Sequence, residues 1–513
     1  MPCTRFCLRL AAFSSSALVA GAVACSSSSG DAPADPTAVT SPTTYPVTPP
    51  PAPTTVPRPV DGSAGADAEP PPVIEGVLSK SYVDYAINHV ISTGQSNNVS
   101  NGGTPIISTT QPFGNLMFDT GVMSMSSCNG DGCTQFNAPS SFVPLVEGDK
   151  FFNYGVETAS AGIANEVSHL AIARFKFGTE PGYPTKHDVL VSVDGRSGNT
   201  YWCLRRNGCS YHPDSMVKPF SQSLLEVQAA KQLATAAGQT YAVRAITAIH
   251  GESEHYAYTG NRAEFPLPGT DGTPGKIADY ADALVEWQHD YETDIVAITG
   301  QKVGVPLFIS QLSGWTDVRT SRITQMQLDA HLRAPGKVVL VTPSYPLSVR
   351  EDCLHFDSHG QRRLGEYFAK AYARTVFSGA PWEPTRPLAV TRSGAVITAK
   401  FNVPKPPLVF DTAKVTDPGN KGFDVVDAGG ALLPVSNVAL ASADTVVITL
   451  AAAPAGAVRL RYAQNQPAAA CIGPGTVYSG GARGNLRDSD DAPSQYGYDL
   501  WNWSVAFDVA VTN

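Results

Sequence analysis

The chain has 513 residues, of which 42% are hydrophobic and 16% are charged, and its formal net charge at pH 7 is −9. This modestly acidic balance, without a long basic run, argues against a nucleic-acid-binding protein. Beyond the N-terminal region no apolar stretch is long enough to span a bilayer, and the length leaves room for two domains.

The N-terminal residues have the pattern of an export signal. Arg5 and Arg9 form a basic start, and a short apolar stretch interrupted by serines follows. The small residues before Cys25 resemble the lipobox of bacterial lipoproteins, in which the cysteine carries lipid. We therefore expect residues 1–24 to be a lipoprotein-type signal peptide and Cys25 to anchor an exported protein to the cell-envelope membrane. That family prefers leucine where this chain has Ala22, so an ordinary secretory signal is the alternative, with export in either case.

The next segment, residues 25–75, is rich in Ser, Pro, Thr and Ala. Such a composition cannot bury enough apolar surface to fold, so we expect a disordered tether. Beyond it we expect an α/β domain over residues 76–381 and a β-rich domain over residues 382–513.

Apolar runs alternate with helical patterns between residues 79 and 380. Five strands are predicted, at 90–94, 189–193, 241–249, 305–312 and 338–341. Helices are predicted between and after them, at 157–175, 221–237, 278–299, 325–332 and 361–377. This alternation indicates a parallel sheet that is covered by helices on both faces.

Reactive residues follow the ends of several predicted strands. Ser96 follows the first strand, Gly195 the second and His250 the third, while Asp352 and His355 lie in the loop after the fifth. Active sites of parallel sheets lie beyond the carboxyl ends of the strands. We therefore expect these four loops to meet at one rim of the sheet.

Two further regions differ in composition from the alternating strands and helices. Residues 101–149 form a long insertion rich in Gly, Ser and Thr, of the kind that shapes access to a site. From about residue 382, short β-branched runs are separated by Gly, Pro and Asp, which predicts a small antiparallel β-sandwich.

The cysteines fit an oxidising compartment. Six remain after Cys25, and their spacing suggests two local disulfides and one long-range disulfide: Cys128–Cys133, Cys203–Cys209 and Cys353–Cys471. The last pair would tie the C-terminal region to the His355 loop. Six cysteines allow fifteen connectivities, so other pairings and free buried thiols stay open as alternatives.

Ser96, His355 and Asp352 supply the groups of a serine hydrolase. A serine hydroxyl becomes nucleophilic when a base takes its proton, and the base needs an acid to fix its tautomer. The three-residue spacing puts Asp352 and His355 on one side of a turn. The alternatives are a serine that only caps a turn or helix and a solvated Asp–His pair. His359 competes for the role of base, although its neighbour Asp357 is only two residues away.

Three segments carry a family resemblance: GQSN at 94–97, HGESE at 250–254 and HFDSHGQRRLG at 355–365. Together they resemble the SGNH hydrolase superfamily and, within it, the sialate O-acetylesterase and carbohydrate acetylesterase group. The resemblance covers about residues 80 to 380. It implies a three-layer, flavodoxin-like α/β domain and an O-acetylated carbohydrate as the substrate. The serine mechanism needs no metal or organic cofactor.

The same resemblance suggests which groups hold the oxyanion. Gly195 matches a glycine whose backbone N–H approaches the tetrahedral intermediate, with Gly198 and, more weakly, Gly155 as rivals. His250 stands where the group has glutamine, and because an imidazole can also donate a hydrogen bond, we expect it to serve the oxyanion. Glu252 is expected to support the loops by hydrogen bonds.

A different interpretation treats residues 250–255 as the continuation of a strand. Alternation would then place His250, Glu252 and Glu254 on one face with His255 nearby, and these are metal-ligand types. Nothing else in the sequence completes a metal site, so we expect no metal.

The sequence thus predicts an exported serine esterase that transfers acyl groups from an O-acylated carbohydrate to water. The alternative is an exported glycan-binding surface protein whose hydrolase domain is weak or inactive. A lipase-like or peptidase-like serine hydrolase is a third hypothesis that the same residues allow.

Overall fold

The computed structural model describes residues 76–123, 136–148, 155–208, 218–259, 265–313, 321–464, 476–477 and 481–513. These residues belong to one compact unit, Pro70–Asn513. The predicted signal, Cys25 and the tether lie outside the described residues, as do Cys128, Cys133, Cys209 and Cys471. No helix in the described part of the chain is both long and apolar enough to cross a bilayer.

The first part of the unit is built on one central sheet. Its elements, in chain order, are β1 (Ile87–Gly94), β2 (Leu116–Phe118), β3 (Phe142–Pro144), α1 (Ser160–Ala173), β4 (Val189–Gly195), α2 (Tyr201–Leu204), α3 (Pro219–Ala236), β5 (Tyr241–Ile249), α4 (Glu252–Thr259), α5 (Tyr280–Thr299), β6 (Leu307–Gln311), α6 (Arg322–Arg333), β7 (Val338–Pro343), β8 (Ser348–Val349) and α7 (Ser358–Tyr372). A turn of π-helix, Ala373–Phe377, continues α7.

The central sheet has seven strands in the order β3-β2-β4-β1-β5-β6-β7. All neighbouring pairs are parallel except β2 and β3. Every residue of β1 and β4 is buried, as expected for strands covered on both faces. The order reverses direction at β1, and right-handed crossovers therefore place α1 on one face and α3, α5 and α6 on the other.

Helix α7 follows the last strand and packs against α1 through glycines. A Cβ built on Gly365 would lie 2.3 Å from the Ala159 carbonyl oxygen and 2.8 Å from the Cα of Gly162. The two backbones thus approach too closely for any side chain at this crossing. Asp357 caps the start of α7, since its carboxylate accepts a hydrogen bond from the Gly360 N–H at 2.8 Å.

The C-terminal part is all β. Its strands are β9 (Arg386–Ser393), β10 (Val396–Asn402), β11 (Val409–Phe410), β12 (Phe423–Asp427), β13 (Leu432–Leu433), β14 (Val435–Leu440), β15 (Thr445–Leu450), β16 (Val458–Tyr462), β17 (Thr476–Val477), β18 (Leu486–Arg487) and β19 (Phe507–Ala510). Two four-stranded antiparallel sheets form, β14-β15-β10-β9 and β13-β12-β16-β19. They share apolar side chains, as the rings of Phe401 and Phe507 show at a centroid distance of 6.0 Å.

The expectation of an α/β part followed by a β-rich part is confirmed at this level. The five predicted parallel strands are β1, β4, β5, β6 and β7. The edge strands β2 and β3 were not predicted, since each has only three residues and lies inside the insertion at 101–149. Such short strands carry too few residues for an alternating pattern to stand out.

Candidate active site

The chain makes a tight turn directly after β1, and Ser96 lies on it. Gly94 has a φ of 143°, and a Cβ there would lie 2.2 Å from the Ile249 carbonyl oxygen, so only glycine fits. The N–H groups of Asn98 and Val99 donate to the Gln95 carbonyl oxygen at 2.9 and 3.0 Å. Ser96 is thereby held at the carboxyl end of the central strand, where it is 8% exposed.

The neighbouring side chain, Asn97, joins this turn to the loop that carries His355. Its Nδ2 donates to the Leu354 carbonyl oxygen at 3.1 Å, and its Oδ1 accepts from the Phe356 N–H at 3.1 Å. The backbone on both sides of His355 is therefore bound by one amide. Residues 259 positions apart in sequence are brought together in this way.

Glu252 connects the same turn to the loop after β5. Its carboxylate accepts from Gln95 Nε2 at 2.9 Å and from Asn97 Nδ2 at 2.8 Å. The Ser253 N–H in turn donates to Gln95 Oε1 at 2.9 Å. Burial raises the pKa of Glu252, although hydrogen bonds from its own N–H and from Asn97, and the charge of His355, oppose this. Glu252 thus accepts hydrogen bonds from the residues on both sides of Ser96.

Asp352 and His355 form a close pair. His355 Nδ1 lies 2.7 Å from Asp352 Oδ2, and the N–H groups of Leu354 and His355 both donate to Asp352 Oδ1 at 2.9 Å. Burial alone would raise the pKa of Asp352, but the hydrogen bonds from His355 and from these amides hold the pKa at about 2. An ionised carboxylate accepts the Nδ1 proton, which leaves His355 Nε2 with a free lone pair.

His355 also lies against the segment that follows Ser96. A Cβ built on Gly102 would be 2.8 Å from the Cβ of His355. Among the described residues, however, no hydrogen bond joins the Ser96 hydroxyl to the His355 ring. Catalytic hydrogen bonds are often long before substrate binds. The structure therefore brings together the two segments and the Asp–His pair, while the roles of these residues stay predictions.

Gly195 lies on the other side of the Ser96 turn. It is paired with Gly94 in the sheet, and a Cβ there would be 2.7 Å from Asn98 Nδ2. The rival Gly198 has a φ of 71° with open space around it, as in an ordinary turn. A Cβ on Gly155, the other rival, would lie 3.1 Å from Ile106 Cδ1. Gly195 is therefore the one of these three glycines that packs on the Ser96 turn.

The carboxyl group next to Gly195 is buried. Burial, reinforced by the nearby charge of Glu226, raises the pKa of Asp194 well above its usual value. This shift favours the neutral acid. A neutral Asp194 places no negative charge beside the Gly195 amide.

His250 is at the end of β5, but both of its ring nitrogens are already bound. Nε2 lies 3.0 Å from the Asn199 carbonyl oxygen and Nδ1 2.7 Å from the Tyr280 hydroxyl. A carbonyl can only accept, so Nε2 carries the proton and the Tyr280 O–H donates to Nδ1. Burial lowers the pKa of His250 to about 4 and keeps the ring neutral. Service to an oxyanion, which stays a prediction, would require the bond to Asn199 to break.

The alternative metal site does not match the local structure. Residues 252–259 form helix α4 and not a strand, so the alternation that placed His250, Glu252 and Glu254 on one face is wrong. Strand β5 ends at Ile249, and Gly251, with a φ of 150°, lies directly before the helix begins at Glu252. Within the described ranges no cluster of three or more His, Cys, Asp or Glu is arranged to hold a metal ion.

The remaining predicted residues are placed as follows. His359, the competing base, is on the first turn of α7 with Nδ1 2.8 Å from the Tyr498 hydroxyl. Cys203 and Cys353 are both disulfide-bonded, and their pairing stays a prediction because Cys209 and Cys471 lie outside the described residues. The sequence interpretation missed the roles of Gln95 and Asn97, although both belong to the GQSN segment that pointed to Ser96.

Comparison with known proteins gives a fold but no family. No protein family and no curated protein sequence matches the chain significantly. Among solved structures, a carbohydrate acetylesterase from Xanthomonas citri is similar over 82% of this chain and 80% of its own, with a TM-score of 0.50 and 12% identity. A protein from Arabidopsis thaliana matches 56% of this chain and 97% of its own, with a TM-score of 0.33 and 13% identity. The first likeness shows a carbohydrate-esterase-like fold.

Proposed function

We propose that the chain is a serine esterase of the SGNH type that removes acetyl groups from an O-acetylated carbohydrate. One observation carries the proposal: Asn97 binds the backbone on both sides of His355, whose Nδ1 is 2.7 Å from Asp352. A base oriented by an acid and held against a serine turn is the arrangement that acyl transfer needs.

In the proposed reaction Ser96 Oγ attacks the ester carbonyl while His355 Nε2 takes its proton. The charge on the carbonyl oxygen would be held by the N–H groups of Gly195 and Ser96. The hydrogen bonds within the turn come from the amides of Asn98, Val99 and Asn101, and in the part of the chain that the structure describes the Ser96 amide donates no hydrogen bond. His355 then protonates the leaving alcohol, and water releases the acetate by the reverse sequence.

Hydrolysis of acetylated sugars tests this proposal. Release of acetate from O-acetylated sialic acid and from acetylated xylan should be measured for the wild type, Ser96→Ala and His355→Ala. We expect acetate from at least one substrate and a fall of about 10⁴-fold or more in kcat for each variant. Equal, near-background rates for all three proteins would refute the esterase proposal. A preference for long-chain esters or amides would point to a lipase-like or peptidase-like hydrolase.

The engagement of His250 favours a second candidate function. If His250 stays bound to Asn199 and Tyr280, one donor of the oxyanion site is missing, and such a donor is worth roughly 2.7–4 kcal/mol. The domain would then bind glycans without cleaving them efficiently. Binding of acetylated glycans with equal affinity by wild type and Ser96→Ala, without turnover by either protein, would support this candidate.

We further propose that the chain is exported and lipid-anchored through Cys25, since a basic start and a short apolar stretch precede that cysteine. Labelling of expressing cells with radioactive palmitate should give a labelled wild type and an unlabelled Cys25→Ser variant. Labelling of both proteins, or of neither, would contradict the anchor.

A further inference from the structure

The loop that carries Asp352 and His355 is closed by short backbone contacts of its own. The Arg350 N–H donates to the His355 carbonyl oxygen at 2.9 Å, and Val349 forms a bridge with Phe356. Strand β8 is therefore one side of the loop and Phe356 is the other. Anything that holds β8 also holds the acid–histidine pair.

The C-terminal region holds β8 directly. Strand β17 pairs antiparallel with β8, with Thr476 opposite Val349 and Val477 opposite Ser348. Cys353, in the middle of the loop, is disulfide-bonded, 7% exposed, and has a φ of 56°. The catalytic loop is thus fixed by a strand and by a covalent bond in addition to Asn97.

The segment just before β8 is held from the same side. The Tyr345 hydroxyl donates to the Ser504 carbonyl oxygen at 2.7 Å, and its ring meets Trp503 edge to face. Tyr345 is fully buried in this contact. The chain therefore enters the loop from a position set by residues more than 150 positions downstream.

Helix α7, which follows the loop, is bound to a segment that we call the C-terminal strap, residues 488–504. Arg363 links this strap to the start of the loop, since Nη2 donates to the Asp499 carbonyl oxygen at 2.6 Å and Nη1 to the Pro346 carbonyl oxygen at 3.0 Å. The Tyr367 hydroxyl donates to the Trp501 carbonyl oxygen at 2.9 Å. Both ends of the loop are therefore tied to the strap.

From these contacts we propose that the C-terminal region positions the Asp352–His355 loop for catalysis, with Arg363 as a positioning residue that joins the strap to the loop. The inference rests on the proposed esterase function. It gives the β-rich region a part in the reaction without contact with the substrate. A sub-ångström to 1 Å shift of a base can cost up to about 10²-fold in rate, so a loosened loop affects kcat.

The test replaces Arg363 with Met, which removes both links, and with Lys, which keeps a single cation. Arg392→Met is the matched control, because Arg392 is also half-buried and donates to the Pro454 carbonyl oxygen and Asn513 Oδ1, both at 2.8 Å, within the C-terminal part. Kinetics with a small acetyl ester and amide hydrogen exchange of residues 350–356 are measured for all four proteins.

We expect Arg363→Met to lower kcat by about tenfold with KM within about twofold of wild type, and to speed exchange in residues 350–356. Arg363→Lys should recover part of the lost kcat and part of the lost protection from exchange. Arg392→Met should match the wild type in both kcat and exchange. Equal exchange and equal kcat in Arg363→Met and Arg392→Met would overturn the inference. An inactive wild type would instead refute the esterase, and exchange would still decide whether Arg363 holds the loop.

Should Arg363→Met fail to fold, Cys353→Ser gives a second route to the same loop. It removes the covalent bond next to His355 and should give the same pattern of lower kcat, unchanged KM and faster exchange. Unchanged kinetics and exchange in Cys353→Ser would contradict positioning by this bond.

Discussion

At the residue scale, Asn97 contacts three separate parts of the chain, two through its side-chain amide and one through its backbone carbonyl oxygen. It binds Glu252 after β5 and the backbone of Leu354 and Phe356 around His355. The backbone carbonyl oxygen of Asn97 accepts a hydrogen bond from Gln361 Nε2 in α7 at 2.7 Å. Ser96 is thus next to a residue that joins its turn to the His355 loop.

Replacing Asn97 with Ala should therefore damage both stability and rate. Buried partners of the lost amide cost about 1–3 kcal/mol each when they are left unpaired, so we expect unfolding in urea at clearly lower concentration. We also expect kcat for an acetyl ester to fall by at least about tenfold. Asn437→Ala, at an exposed position of β14, is the control and should stay within about 0.5 kcal/mol of wild type. Wild-type kinetics in Asn97→Ala would contradict this role.

The buried, neutral ring of His250 leads us to predict that the free energy of unfolding depends on pH. Its pKa falls from about 6.5 in the unfolded chain to about 4 in the folded one, so the folded state resists a proton that the unfolded state binds. The stability from the neutral ring is present above about pH 6.5 and is lost as the pH falls towards 4. Between pH 7 and 4.5 this amounts to about 2 kcal/mol.

We expect urea unfolding to show this loss in the wild type and a loss smaller by about that amount in His250→Gln, which does not titrate. Other buried groups titrate equally in both proteins and cancel in the difference. The same change with pH in both proteins would show that His250 is not held neutral in the fold.

The candidate reactive residues could be picked out from the sequence, and the contacts that hold them could not. Ser96, Asp352 and His355 stand out because few residue types can do nucleophilic and acid–base work. The partner of His250 is the Asn199 carbonyl oxygen, 51 positions away, and no residue pattern marks a backbone acceptor. The structure was needed to show that both ring nitrogens of His250 already have hydrogen-bond partners.

At the element scale, the crossing of α1 and α7 depends on glycine. Alanine is worth about 1 kcal/mol more than glycine inside a helix, which by itself would make Gly365→Ala stabilising. A Cβ there would lie 2.3 Å from the Ala159 carbonyl oxygen and 2.6 Å from the Ile163 nitrogen, and backbone atoms cannot move cheaply. The steric cost, about 1–3 kcal/mol or more, therefore exceeds the gain in helix propensity, and the substitution is expected to destabilise the fold.

We expect Gly365→Ala to lower the free energy of unfolding and to displace α7 together with the His355 loop at its start. Gly456→Ala is the control, because a Cβ there meets no atom within 4 Å. Urea unfolding and ester hydrolysis measure the two effects. Greater stability in Gly365→Ala than in the wild type would show that the helices are not in close contact.

Some helices and strands could be predicted from local sequence patterns, and others could not. The long helices and the buried parallel strands were predicted within a few residues of their ends, since continuous apolar runs and helical periodicity are local signals. The helix at 252–259 was not predicted, because the segment HGESEH has no apolar stripe of helical spacing and its alternation is compatible with a strand. Strands β8 and β17 have two residues each and pair with each other, so neither carries a pattern that a local prediction could detect.

At the scale of the whole molecule, the α/β and β-rich parts share buried contacts. Gln311 Nε2, at the end of β6, donates to the Ala506 carbonyl oxygen at 2.9 Å, and the Ala506 N–H donates back to Gln311 Oε1 at 2.7 Å. Lys370 of α7 lies 2.8 Å from Asp490 and 2.9 Å from Asn502 Oδ1. Such buried polar groups are costly when their partners are removed.

A chain that contains only residues 76–381 should therefore not fold stably. Its Gln311, Tyr345 and Lys370 would lose buried partners, and the apolar surface beneath Trp503 would face water. We expect aggregation or the absence of a cooperative thermal transition by circular dichroism, in contrast to residues 76–513. A soluble monomer that melts cooperatively would show that the two parts are independent.

The order of the two parts along the chain was predictable from composition, but their dependence on each other was not. The residue composition and the hydrophobic pattern change near residue 382. The contacts that join the two parts, in contrast, are single hydrogen bonds between positions far apart in sequence. The sequence left open whether the C-terminal part binds sugar or supports the His355 loop. The contacts of Tyr345 and Arg363 with the C-terminal part favour support.

The central claim is that Ser96 is a nucleophile activated by His355, and covalent labelling tests it most directly. A fluorophosphonate probe phosphonylates activated serines, and the modified residue is then located by mass spectrometry of peptides. We predict one adduct, on Ser96, that is absent in Ser96→Ala and forms much more slowly in His355→Ala. An adduct on another serine in a protein that hydrolyses acetyl esters, or no adduct on Ser96 at any probe concentration, would contradict the account.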